Sequence, residues 1–142
     1  MIILDTNIVS VLMDPEHADT AIVDSWLQAN SHQVTRIPAI SRAEIIFGIA
    51  ILPDGAKKRR LANLADQFFA PLTNLVLPFG FREAEAYGAI MAARRGQGRP
   101  MGSLDAQIAA IAKVAGATIA TRDTRDFLDC GVSVINPHEH EV

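Results

Sequence analysis

A chain of 142 residues, 49% apolar and 20% charged, has the size and balance of one ordinary globular domain, which excludes a disordered or disulfide-stapled polypeptide. The single cysteine, Cys130, excludes both an internal disulfide and a cysteine-paired zinc site, and points to a reducing, cytoplasmic setting. A formal net charge of -3 argues against a uniformly basic nucleic-acid surface but not against a phosphate site, because a divalent ion held among acids reverses the local field.

The opening run Ile2-Ile3-Leu4 is wholly apolar and stops at Asp5-Thr6-Asn7, the pattern of a buried parallel strand ending at a polar edge. No basic residues precede it, which excludes an ordinary signal peptide, and Ile45 to Leu52 is too short to span a bilayer, so no membrane role is indicated. Ala18, Ala21, Ile22, Trp26 and Leu27 recur at helical spacing between Ala18 and Gln28, and a second strand is predicted over Val34 to Ile37. Ser41-Arg42-Ala43-Glu44 reads as a capping box opening a helix that runs to Pro53-Asp54-Gly55, and another helix covers about Ala56 to Ala70. Asn74 to Leu77 is a third strand, and a helix through Glu83, Ala86, Ile90 and Met91 ends at Gly96. Ser103 to Ala115 is amphipathic with Gly116 as its stop, followed by strands at Thr118 to Thr121 and Val132 to Ile135. Strands alternating with helices, without hairpin turns, predict a single three-layer α/β/α domain over 1–142 with a central parallel sheet of four to five strands.

In such sheets ligands bind beyond the carboxyl ends of the strands, and four acids are placed to meet there. Asp5 follows the first strand, Glu44 begins the helix after the second, Asp105 lies in the first turn of its helix, and Asp123 follows the strand ending at Thr121. Each has an ordinary alternative: a capping box for Glu44, a helix-dipole carboxylate beside a cap Ser103 for Asp105, an Asx turn for Asp123. Asp5 has none as simple, since an acid directly after a buried strand is costly unless paired or metal-bound. Taken together, mutually repelling carboxylates call for a cation, and hard oxygen ligands without cysteine select Mg²⁺ or Mn²⁺.

The motifs carry a family resemblance. Met1-Ile2-Ile3-Leu4-Asp5-Thr6-Asn7 resembles the opening of PIN-domain toxins of the VapC and FitB type. Ser41 to Ile49, Asp105 to Ala112, Ala120 to Phe127 and Val134-Ile135-Asn136-Pro137 are similar to the later blocks of that family, in the same order. The resemblance implies a PIN-like fold and a metal-dependent ribonuclease in which Asp5, Glu44, Asp105 and Asp123 bind the ion. Thr6, Asn7, Ser103 and Thr121 would then orient those acids or a water, with Asp126 a possible substitute for Asp123. It also implies RNA cleavage leaving 5′-phosphate and 3′-hydroxyl ends, a homodimer, and a small antitoxin that binds operator DNA and blocks the acidic site.

Substrate phosphates need cations, and Arg122 and Arg125, flanking the fourth acid, are better placed than Lys57-Lys58-Arg59-Arg60 or Arg94-Arg95 with Arg99. His17, His32, His138 and His140 do not sit at predicted strand ends, and the tail Pro137 to Glu141 reads as a solvated end. Met13, Phe47, Ile51, Phe68 and Phe69 are candidates for core packing, or for an apolar groove or dimer seam. The competing function is a PIN-like module that binds an antitoxin or RNA without cutting. An aspartyl-phosphate chemistry is disfavoured because Asn7 stands where a second acid is needed. Nothing in the sequence encodes which RNA is cut.

Overall fold

The computed structural model describes residues 1–141. Among these, five strands are β1 (Ile2–Leu4), β2 (Thr35–Pro38), β3 (Val76–Leu77), β4 (Thr118–Ala120) and β5 (Val134–Ile135). Six α-helices are α1 (Thr6–Met13), α2 (Thr20–Ala29), α3 (Ala39–Ala50), α4 (Ala56–Phe69), α5 (Phe81–Gly96) and α6 (Ser103–Ala115). The strands form one parallel sheet in the order β3-β2-β1-β4-β5. The chain therefore steps outward from β1 through β2 to β3, then returns to lay β4 against the other flank of β1. That reversal of strand order opens a crevice beyond the carboxyl ends of β1 and β4.

Side-chain alternation along the strands divides the core in two. Ile2, Leu4 and Ala120 face a layer that includes Val9, Val23, Trp26, Ile45 and Phe69, contributed by α1 to α4. Ile3 and Ile119 face the opposite layer, where α5 and α6 supply Ile90, Ile108 and Ile111, and Phe127 closes the end. Burial on both sides is why β1 reads as an unbroken apolar run. The predicted three-layer fold is the fold observed, with five strands in the sheet.

Three local expectations are corrected. An extra helix, α1, begins directly after β1, with the Asp5 carboxylate accepting from the Thr6 N–H at 2.8 Å as its N-cap. Helix α3 starts at Ala39 behind Pro38, so Ser41 and Glu44 form no capping box. Ser41 is instead fully buried inside the helix, and its hydroxyl donates to the Leu4 carbonyl at 3.1 Å, tying α3 to the end of β1. Helix α6 is capped by Gly102 rather than Ser103, whereas Gly116 takes the expected left-handed stop at φ 63°. Ser41→Ala leaves the Leu4 carbonyl without this donor in a dry setting and should destabilise the protein by about 1–2 kcal/mol in urea denaturation. An unchanged midpoint would show that the bond contributes nothing.

Candidate active site

The site is built outward from Asp5. Its carboxylate is only 5% exposed, yet it has three donors around it. The Thr6 N–H reaches Oδ1 at 2.8 Å, the Thr121 hydroxyl reaches Oδ2 at 2.7 Å, and the Asn7 amide reaches Oδ2 at 3.3 Å. Thr121, itself fully buried, stands beyond the carboxyl end of β4, so the first and last parts of the site meet across the β1–β4 pairing. Asn7 continues the link: its Nδ2 donates to Asp123 Oδ2 at 3.0 Å, and its Oδ1 accepts from the Arg122 N–H at 3.2 Å. The Asp123 N–H in turn donates to Thr121 Oγ1 at 3.0 Å. Glu44 is held from the other side, its Oε1 accepting the Thr6 hydroxyl at 2.8 Å.

Asp105, in the first turn of α6, completes the group through charge rather than direct bonds. Its carboxyl is pushed up to about 6, first by burial and then by the charges of Asp5, Asp126, Glu44 and Asp123. Asp5 is raised as well: burial dominates, the Thr121 and Thr6 hydrogen bonds oppose it, and Glu44 and Asp123 add to it. The predicted carboxylates thus share one crevice closely enough that their charges help to disfavour ionisation of Asp5 and Asp105. Asp126, read from the sequence only as a substitute for Asp123, acts on Asp105 more strongly than Asp123 does. Among the described residues, however, no three His, Cys, Asp or Glu side chains are disposed to enclose a metal ion by themselves. The donor chemistry fits a hard cation that keeps part of its water shell better than one needing a full protein cage.

The remaining expected residues are dispersed. Ser103 turns to Tyr87 (Oγ to the phenol oxygen, 3.0 Å) and to the Gln107 amide at 3.3 Å, with no bond to the acids. Arg125 is exposed. Arg122 lies on the rim, its Nη2 3.4 Å from Asp19 Oδ2. Asp19 also faces His138 Nε2 at 3.5 Å and His17 Nδ1 at 3.9 Å. His138 is therefore not part of a solvated tail: it belongs to a short 3₁₀ turn, Pro137–Glu139, just beyond β5, and its side chain is 15% exposed. Of the other cations, Arg60 is committed to Asp14 (2.7 Å) and Glu16 (3.0 Å), Lys58 to Asp54 (3.4 Å) and Arg99 to Asp129 (2.7 Å). Arg94, also considered for phosphate, is buried. No sequence signal pairs Asp19 with His138, because that contact depends on β5 returning the chain to the start of α2.

A PIN domain model matches residues 2–131, taking in β1, β4 and all the acids described above. The chain belongs to the PIN-domain family. It is 36% identical over 140 residues to the VapC ribonuclease Y4jK of Sinorhizobium fredii, covering 98% of this chain and 99% of the relative. It is 35% identical over 138 residues to the toxin FitB of Neisseria gonorrhoeae, covering 96% and 98%. A solved structure of FitAB bound to a DNA fragment superposes with a TM-score of 0.85 at 35% identity, covering 100% of this chain and 99% of that one. This PIN domain is thus of the VapC and FitB type. No helix among the described residues is long and apolar enough to cross a membrane.

Proposed function

We propose that this PIN domain is a Mg²⁺- or Mn²⁺-dependent endoribonuclease and the toxin of a toxin–antitoxin pair. The observation that carries the reading is the convergence of Asp5, Glu44, Asp105 and Asp123 on the β1–β4 crevice, where Asp105 is raised to about 6 chiefly by burial and then by neighbouring carboxylates. Such a cluster is relieved by a cation and is well suited to gripping one next to a phosphate. The VapC ribonuclease and FitB toxin relatives support the same class.

When bound, the ion supplies a water of lowered pKa and offsets charge building on the phosphate. Asp5 and Asp105 would hold it most directly, with Glu44 and Asp123 on either side. The protein's own contribution is orientation. Three donors fix the Asp5 carboxylate, the Thr6 hydroxyl fixes Glu44, and the Asn7 amide fixes Asp123, so the oxygens are set before substrate arrives. Arg122, steadied by Asp19 at the rim, and the exposed Arg125 supply positive charge for flanking phosphates.

A groove of about 340 Å³ between α1, α3 and α4, lined by Met13, Ile45, Ile49 and Leu61, opens at Thr6 and Glu44. It suits an antitoxin segment whose apolar side chains fill the groove while a basic one reaches the acids. Ile46 and Phe47 on α3 and Ile51 at its C-cap are exposed and offer a seam for a homodimer. The direct test is purified protein with total RNA and Mg²⁺ or Mn²⁺, with and without chelator. Cleavage that stops with chelator is expected. Cleavage that survives it removes the metal from the mechanism, and intact RNA under every condition favours a module that binds without cutting.

A further inference from the structure

Arg94, on α5, is a charged side chain with 6% exposure. Among the described residues no carboxylate lies within ion-pair distance of it. Burying a guanidinium without a counter-charge is expensive unless its N–H groups are satisfied in another way. Here backbone carbonyls accept from three of its five N–H groups. Nε donates to the Arg99 carbonyl at 2.9 Å, and Nη1 donates to the carbonyls of Leu128 at 2.7 Å and Asp126 at 3.3 Å. The Arg94 carbonyl itself accepts from the Arg99 N–H at 3.0 Å.

These acceptors come from two segments that also share the core, through buried Met101 and Phe127, and the Arg94 bonds add a polar tie to that packing. One is the connection from α5 into α6, which delivers Asp105. The other is the 3₁₀ turn Thr124–Phe127 with Leu128 behind it, which presents Asp126 and begins just after Asp123. The Asp126 backbone is held on both sides of its Cα: its carbonyl by Arg94, and its N–H by the Asp123 carbonyl at 3.0 Å. A second, exposed contact, Arg99 with Asp129 at 2.7 Å, closes the same two segments farther out. An apolar residue at position 94 would fill the space without the burial cost, but it would leave these carbonyls without a donor.

We propose that Arg94 is a positioning residue of the acidic site: its buried guanidinium locks the segment leading into α6 onto the Asp123–Leu128 turn, and so fixes where Asp126 stands relative to Asp105. Arg94 touches neither acid's side chain and acts only through the backbone that carries them. Lysine cannot replace it fully, because a single ammonium lacks the planar spacing of Nε and Nη1. The proposal rests on the metal-dependent reading of the site.

The experiment compares Arg94→Met and Arg94→Lys with wild type and with Val23→Ala, a core substitution on the buried side of α2, on the opposite face of the sheet. Mn²⁺ binding is measured by calorimetry, and amide exchange over residues 123–128 by mass spectrometry, at a temperature where all the proteins are folded. Arg94→Met should weaken Mn²⁺ binding by about 10-fold or more and speed exchange in the turn, with Arg94→Lys intermediate. Val23→Ala should lower the melting temperature yet leave both readouts at wild-type values. If Arg94→Met does not fold, Arg94→Lys alone carries the comparison. Wild-type Mn²⁺ affinity and turn exchange in the folded Arg94 variants would overturn the proposal. Wild-type protein that takes up no Mn²⁺ would overturn the functional reading beneath it. The exchange measurement would then decide the turn lock alone, and wild-type exchange would end it too.

Discussion

Asp5→Asn should cost more than about 100-fold in metal-supported RNA cleavage, beyond the effect typical of losing a residue that merely orients a metal ligand. The same substitution should raise the melting temperature of the metal-free protein. Asparagine keeps an oxygen for the Thr6 N–H and turns an amide NH₂ toward Thr121, whose hydroxyl must rotate to accept from it. The long 3.3 Å bond from the Asn7 amide loses its acceptor, so most but not all of the frame survives. What is lost is a buried negative charge that Glu44 and Asp123 repel. Activity and stability moving in opposite directions is the signature of a group retained for chemistry rather than for folding. An Asp5→Asn protein that cuts RNA at the wild-type rate would remove Asp5 from the active site, and one that melts lower would show that the carboxylate supports the fold.

Addition of Mn²⁺ at about 100 times its dissociation constant should stabilise the protein by roughly 2.7 kcal/mol, or about 10 °C in melting temperature for a chain of this size. The gain should depend on pH. Asp105 has its folded pKa raised from 3.8 to about 6, so in metal-free protein its contribution is most favourable when protonated and is lost as pH rises across that interval. Asp5 is shifted in the same direction. Protons and the ion compete for these oxygens, so the Mn²⁺ shift should be large at pH 7.5 and small at pH 5. His138, lowered chiefly by burial, works oppositely: the folded state resists its protonation, and stability falls as pH drops below 6.5. Asp105→Asn separates the two, because it deletes the carboxylate contribution while His138 remains. A melting profile whose pH slope is the same in wild type and Asp105→Asn would mean that Asp105 is not perturbed as described.

The sheet and the acids were legible because burial on both faces leaves an unmistakable trace. Ile2-Ile3-Leu4 can only be an interior strand, and an acid directly after it demands an explanation. Helix α1 was hidden for the same reason, since Ile8, Val9, Val11 and Met13 are all buried and leave little polar face to mark a helical period. Glu44 was ambiguous because Ser41 mimics a cap. In the folded chain Pro38 caps α3, and Ser41 is spent on the Leu4 carbonyl, which frees Glu44 to meet Thr6. Arg94 was misleading, since an Arg-Arg pair on a polar helix looks like a phosphate contact. Only the fold shows that one arginine of the pair points inward. Asp126 likewise gained its place from the turn that carries it, which local sequence cannot position against α6.

The pairing of β1 with β4 also dictates when during synthesis the acidic crevice can form. Asp5 and Asn7 precede their partners Thr121 and Asp123 by most of the chain, and those partners are translated only after α6, so a nascent chain stopped before that point lacks Asp123 and the β4 flank of the crevice. On the proposed ribonuclease reading, cleavage would therefore await the emergence and docking of β4, and an unfinished product would lack the strands that complete the site.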